Sequence, residues 1–173
     1  MIIQVSDIPD DGLLVANAGE FVAPFSDRSW RLNSVRLHVS RDGEEVVVVG
    51  ELGATVPLVC GRCLEEFQVD VHPRVDLRYV PRPAIDDDVE LGADDLDLDF
   101  YENDQLNLAS LVETETTLAL PMKPLCRADC RGLCPTCGAN RNVGDCGCPI
   151  QPADQPADSR LAALKDLASR LHH

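Results

Sequence analysis

The sequence predicts an α+β protein: an antiparallel β-meander or partly open barrel covered by a helix, followed by a cysteine-rich segment and a terminal helix. Three observations carry that expectation. Apolar and polar residues alternate from Val35 to Tyr79, the period of half-buried strands. The spacing turns helical between Leu108 and Leu120. Six of the eight cysteines then crowd into residues 126 to 148, "CRADCRGLCPTCGANRNVGDCGC".

The meander begins where Val35, Leu37 and Val39 alternate with Arg36 and His38. Asp42-Gly43 supplies a hairpin turn, and "EEVVVVGEL" returns as an apolar run suited to a central strand. "ATVPLVC" reads as a further strand, with Pro57 marking an edge or a bulge because it cannot donate to a ladder. "EFQVDVHPRVDLRYV" reads as the next, placing Phe67, Val69, Val71, Val75, Leu77 and Tyr79 on one face. "CGRC", Cys60 to Cys63, is then the turn of a hairpin.

Residues 81 to 104 carry ten acids and no base after Arg82. Asp86 to Asp88 are expected to form an acidic loop. In "DLDLDF", Leu96, Leu98 and Phe100 alternate with acids and would add a strand at a sheet edge. An EF-hand is excluded because the glycine at the sixth loop position and the closing glutamate are missing. Leu108, Leu111, Val112, Leu118 and Ala119 fit one helical face, with Asn107 as N-cap and Pro121 as the stop. Glu113 and Glu115 lie on that helix and read as solvated charge, since nothing nearby in sequence completes a catalytic carboxylate pair. A Pro-rich linker, "PIQPADQPADSR", leads to a helix from about Ser159 to Leu171, capped by Asp158. The organisation expected is a body over 1–125 carrying the first C-x-x-C, a cysteine-rich segment over 126–150, and a linker and helix over 151–173.

Composition bounds the function. A chain of 173 residues should bury roughly 70% of its unfolded surface. With 45% apolar residues and only 4% aromatics, the core must be built from Val, Leu and Ala. No basic region followed by a long apolar run opens the chain, so a cytoplasmic protein is expected, with no membrane span and no small-molecule substrate. A net charge of −15 opposes a broad, nonspecific grip on a phosphate backbone. No Walker loop, G-x-G-x-x-G, G-x-S-x-G or H-E-x-x-H occurs, so no catalytic residue is assigned and no enzyme is expected.

In a reducing compartment clustered thiols read first as metal ligands. Zinc takes four tetrahedral ligands, and eight thiolates divide into two closed, structural four-cysteine sites. Cys134-x2-Cys137 and Cys146-x-Cys148 form a self-contained knuckle, with Gly138, Gly144 and Gly147 permitting tight turns. Cys126 and Cys130 are left to join Cys60 and Cys63, clipping the end of the helical segment to the meander. Grouping Cys126, Cys130, Cys134 and Cys137 is the competing division, and iron or disulfides are competing chemistries. His38 and His72 read as surface or hairpin residues. Arg62, Lys123, Arg127, Arg131 and Arg141 lie near the cysteines in sequence and are the candidates for a local RNA contact. Two zinc–thiolate sites would take the loaded chain to about −19.

Several stretches together carry a resemblance: "IIQVSDIP", "LVCGRCLEEF", "LNLASLVETETTLALPMKPLC", "CRGLCPTCGANRN" followed by "DCGC", and "DSRLAALKDL". This combination resembles the YceD family, the large ribosomal RNA subunit accumulation proteins of bacteria and plastids. The resemblance implies a role in ribosome biogenesis, in accumulation or processing of 23S ribosomal RNA, without an established catalytic activity. The partners it implies are large-subunit RNA or a pre-ribosomal particle, and a small basic large-subunit protein. It also implies that Cys60, Cys63, Cys126 and Cys130 form the general site, and that Cys134, Cys137, Cys146 and Cys148 form one that only some members carry.

Overall fold

A computed structural model describes residues 1–82 and 98–148. The strands are β1 (Ile2–Gln4), β2 (Leu13–Val15), β3 (Arg31–Asp42), β4 (Glu45–Val59), β5 (Glu66–Val71), β6 (Arg74–Pro81), β7 (Leu98–Tyr101) and β8 (Gln105–Asn107), and the helix is α1 (Leu108–Leu118). The chain divides into two compact units, Met1–Cys130 and Arg131–His173. All of these elements lie in the first.

The β-branched run that starts at Val46 makes β4 the centre of the larger sheet. β3 lies along one side of it and β5 with β6 along the other, while β2 extends the β3 edge and β7 the β6 edge. Where two strands were expected over 45–60, one 15-residue strand forms. Pro57 does not break it. β3 pairing ends at Thr55, so beyond that point β4 has a partner on one side only and Pro57 sits at an edge. β5 and β6 keep a single antiparallel register along β4, from Val59↔Glu66 to Val46↔Tyr79, interrupted at His72-Pro73.

Two expectations need correction. Among the described residues the protein is mostly β with one helix, and the sheet is open and mixed where an antiparallel meander or partly open barrel was expected. β7 pairs with β6 in parallel, which makes the sheet mixed, and its edges are the three-residue β2 and the four-residue β7, which among the described residues pair with nothing that would close a barrel. The edge strand expected at "DLDLDF" forms over Leu98–Tyr101. Leu96, the acidic stretch at Asp86 to Asp88, and the linker and helix expected over 151–173 lie outside the described residues. No helix among the described residues is long and apolar enough to cross a membrane.

The core lies on one face of the sheet, where Leu37, Val39, Val46, Val48 and Leu52 meet Leu108, Leu111 and Val112 of α1. Asn107 caps α1 as expected, its Oδ1 accepting from the N–H groups of Ala109 and Ser110. The buried stripe differs from the expected one. Thr116 is buried, whereas Leu118 is 74% exposed.

Glu113 has a structural task. Its Oε1 accepts a 2.7 Å hydrogen bond from the Ser26 N–H, tying the segment before β3 to the helix. That backbone donor holds the Glu113 carboxyl below its ordinary value of 4.5. A carboxyl depressed in the folded state contributes stability above its unfolded pKa and loses that contribution as pH falls through its folded one. The protection of the Ser26 amide, the intrinsic exchange rate relative to its observed rate at the same pH, should therefore be high above pH 4.5 and decrease on acidification below it. In Glu113→Gln the pH dependence should vanish.

Candidate metal centres

A C-x-x-C turn can aim two sulfurs at one point only if the backbone reverses tightly behind them. The Cys60–Cys63 and Cys134–Cys137 turns do this in the same way. In the first, the Cys60 N–H donates to the Glu65 carbonyl at 2.9 Å and the Leu64 N–H to the Cys60 carbonyl at 3.0 Å. In the second, the Cys134 N–H donates to Ala139 at 2.8 Å and the Gly138 N–H to Cys134 at 2.9 Å. The residue after the second cysteine is left-handed in both, Leu64 at φ 60° and Gly138 at φ 74°. Glycine takes that conformation freely, but leucine does so at a cost of about 1–2 kcal/mol.

The first group lies in the first unit. Cys60 and Cys63 sit in the β4–β5 turn, and Cys126 and Cys130 follow α1, brought close by the Gly61 N–H donating to the Pro124 carbonyl at 2.8 Å. All four sulfurs lie within 4.8 Å of one another. Cys63–Cys126 is 3.6 Å and Cys60–Cys130 3.7 Å. A zinc–thiolate bond of about 2.3 Å gives a tetrahedron edge of about 3.8 Å, so this donor set fits a tetrahedral ion that favours sulfur. Cys60, Cys63 and Cys130 are buried and pack with Phe67 and Leu125 as a small cluster apart from the main core.

The second group lies in the second unit. Cys134, Cys137, Cys146 and Cys148 again place every sulfur within 4.8 Å of the others. A short hairpin supports them: Leu133 bridges Asn140, the Arg141 N–H donates to Gly132 at 2.9 Å, and Asn142 Oδ1 accepts from the Arg131 N–H at 2.8 Å. Here Cys137 and Cys146 are exposed. The spacing argument therefore grouped the thiols correctly, and the division joining Cys126 and Cys130 to Cys134 and Cys137 does not occur. His38 and His72 belong to neither group.

The electrostatics suit a thiolate at the head of each turn. Cys60 is drawn down to about 6, first by the backbone N–H of Cys126 and then by that of Cys63. Cys134 is drawn down to about 6 by the N–H groups of Cys137 and Thr136. Others are held protonated without a cation. Burial, followed by hydrogen bonds with Cys63 and Cys130, pushes Cys126 up to about 12. Hydrogen bonds with Cys137 and Cys146 push Cys148 up to about 12. Four thiols this close cannot all ionise until a metal compensates the charge, so uptake must release protons.

The basic residues separate into two kinds. Arg62 turns its guanidinium inward, Nη1 donating to the Cys130 carbonyl at 2.9 Å. Arg127 pairs with Asp129 at 3.6 Å and Arg131 with Asp145 at 2.5 Å. Lys123 and Arg141 have no acidic partner among the described residues. The sequence could not reveal Arg62's inward bond, because its acceptor is a backbone carbonyl 68 residues away.

The model of the family described as "Large ribosomal RNA subunit accumulation protein YceD" matches residues 48–168. This chain belongs to the YceD family. The match takes in both cysteine groups, and the YceD description associates the family with accumulation of large-subunit ribosomal RNA. Two mycobacterial proteins are similar over part of their length: an uncharacterized protein of Mycobacterium tuberculosis, Rv2926c, and one of Mycobacterium bovis, Mb2951c. Each is 31% identical over 103 residues, covering 59% of this chain and 48% of the relative. The chain thus spans about half the length of the curated relatives it matches. No solved structure matches it.

Proposed function

We propose that this YceD protein is a non-catalytic ribosome-assembly factor that holds two structural zinc ions and supports accumulation or processing of 23S ribosomal RNA. The observation that carries the zinc assignment is the first cysteine group, whose sulfur separations of 3.6 and 3.7 Å match the edge of a zinc–thiolate tetrahedron. Cys60, Cys63, Cys126 and Cys130 would hold one ion and Cys134, Cys137, Cys146 and Cys148 the other. Four thiolates leave no open position for water, so zinc here supplies a cross-link and no hydrolytic chemistry. For RNA, Lys123 and Arg141 are the available cations. Arg127 and Arg131 could exchange exposed carboxylates for phosphate, and Arg62 is the least available.

Metal analysis tests the assignment first. Purified protein should carry two zinc ions per chain, falling to one when Cys134 and Cys137 are both changed to Ser, and a wild-type content of one would overturn the two-site reading. RNA contact is tested by replacing Lys123, Arg127, Arg131 and Arg141 with Glu. Association with precursor particles should be lost while zinc content is kept.

A second reading, an acidic module for a basic large-subunit protein, is favoured by the net charge of −15 and by three carboxylates around one groove of the first unit.

A further inference from the structure

In the first unit a groove of about 600 Å³ runs between one ridge of α1 and the β7–β8 hairpin. Pockets for specific ligands fall in the range of roughly 300–1,000 Å³. Along the helix, Leu111, Glu115 and Leu118 follow one another at helical spacing and line one wall. The opposite wall is a fixed hairpin. Its turn has Asn103 and Asp104 at φ 52° and 59°, with the Gln105 N–H donating to Glu102 at 2.9 Å. Asp104 also holds the N-terminal segment, its carbonyl accepting from the Val5 N–H and its carboxylate from Ser6.

The lining combines two properties. Its floor is apolar, built from Leu77, Leu106 and Leu111, and its rim holds large apolar side chains that remain exposed: Ile2 at 60%, Phe100 at 39% and Leu118 at 74%. Its charge has one sign. Asp99, Glu102 and Glu115 line it, and among the described residues no Lys, Arg or His does. Glu102 is already paired with Arg82, whereas Asp99 and Glu115 have no cation among the described residues. Both line the same groove, and Asp99 stands in register with Tyr79 on the neighbouring strand. Burial first, and then the charges of Asp99 and Glu115, hold the Tyr79 hydroxyl protonated well above its ordinary value, and burial raises Glu115. A half-buried carboxylate that lacks a partner gains most from a cation delivered into the groove.

We propose that this groove docks an amphipathic, Lys- or Arg-bearing helical segment of a partner protein, with apolar side chains over Phe100 and Leu118 and a cation between Asp99 and Glu115. An acidic wall disfavours RNA, and the apolar rim selects a side-chain face over a small free cation. This goes beyond the zinc and RNA reading and does not require it. It deepens the second reading and rests on it, taking from it both the basic protein partner and this groove.

The test uses the full-length, metal-loaded chain and a fluorescein-labelled 18-residue peptide with Leu on one helical face and Lys on the other, followed by anisotropy in 0.15 M salt. Asp99→Lys with Glu115→Lys should weaken binding about tenfold or more, as charge reversal in a partly desolvated contact does. Leu118→Glu should weaken it too. Asp10→Lys with Asp11→Lys, which makes the same charge change at exposed acids outside the groove, should alter it less than about twofold. Melting temperature and zinc content establish that each variant is folded. The proposal is overturned if the groove variants bind as the wild type does, or if the Asp10 and Asp11 reversal weakens binding equally. Competition by a 12-nucleotide oligouridine that is lost with the same groove substitutions would assign the groove to RNA and overturn it as well. A basic large-subunit protein that still binds the groove variants would leave the second reading standing and overturn the groove alone.

Discussion

Removing one ligand of the buried cysteine group, Cys130→Ser, should unfold the first unit or lower its melting temperature by tens of degrees. The expected size follows from the linkage of metal binding to folding. A structural zinc–thiolate site contributes on the order of 10 kcal/mol, comparable to the whole stability of a domain of about this size. Cys60, Cys63 and Cys130 lie in a separate small cluster with Phe67 and Leu125, so few apolar contacts remain to hold the post-helix segment once the ion is gone. The matching change at Cys137, which is exposed in the second unit, should remove one zinc and leave the first unit's melting transition in place. Circular dichroism melts with metal content measured on the same samples would check both. An equal loss of melting temperature from the two substitutions would mean that the groups do not differ in this way.

The second large effect needs no metal. Gly50→Ala should destabilise the sheet by about 3 kcal/mol or more, at the upper end of what overpacking costs. Gly50 stands in the middle of β4, opposite Leu37 on β3 and Val75 on β6. A Cβ there would overlap the Arg36 carbonyl oxygen, a backbone atom that cannot swing aside as a side chain would. Gly43, at the β3–β4 turn, meets nothing within 4 Å, though its φ of 63° still favours glycine, so Gly43→Ala should cost only about 1 kcal/mol. Urea denaturation of the two variants side by side would show the contrast, and equal losses would refute it.

How much of this was legible in the sequence depended on how local the determining interaction is. The Asn107 cap, the β3–β4 hairpin, which turns at Gly43-Glu44 one residue beyond the expected Asp42-Gly43, the C-x-x-C turns and the grouping of eight thiols all arise from short spacings, and they could be read. The length of β4 could not. Pro57 looks like an interruption until it is known that β3 stops at Thr55 and leaves that side of the strand free. β1, β2 and β8 were missed because three-residue strands carry no period, and they form only where a distant partner receives them, as Ile3 meets Leu106. Leu118 was placed on the buried face and Thr116 left off it because helical spacing predicts a stripe but not where the sheet beneath it ends. The groove was invisible for the same reason. Asp99 and Glu115 come to line one groove only through the fold.

The closure of the first cysteine group also sets an order of events during synthesis. Cys63 meets Cys126 across 63 residues, and Cys60 meets Cys130 across 70. The meander and its C-x-x-C turn leave the ribosome first and must wait as a two-thiol half-site until the chain beyond the helix follows. Closing so long a loop costs only slightly more entropy than closing one half its length, but the closure cannot begin early. An ion held by these four cysteines would therefore act as a proofreader of completeness: a chain stalled or cleaved before Cys126 would keep only half of the ligands, while a finished chain would close the site.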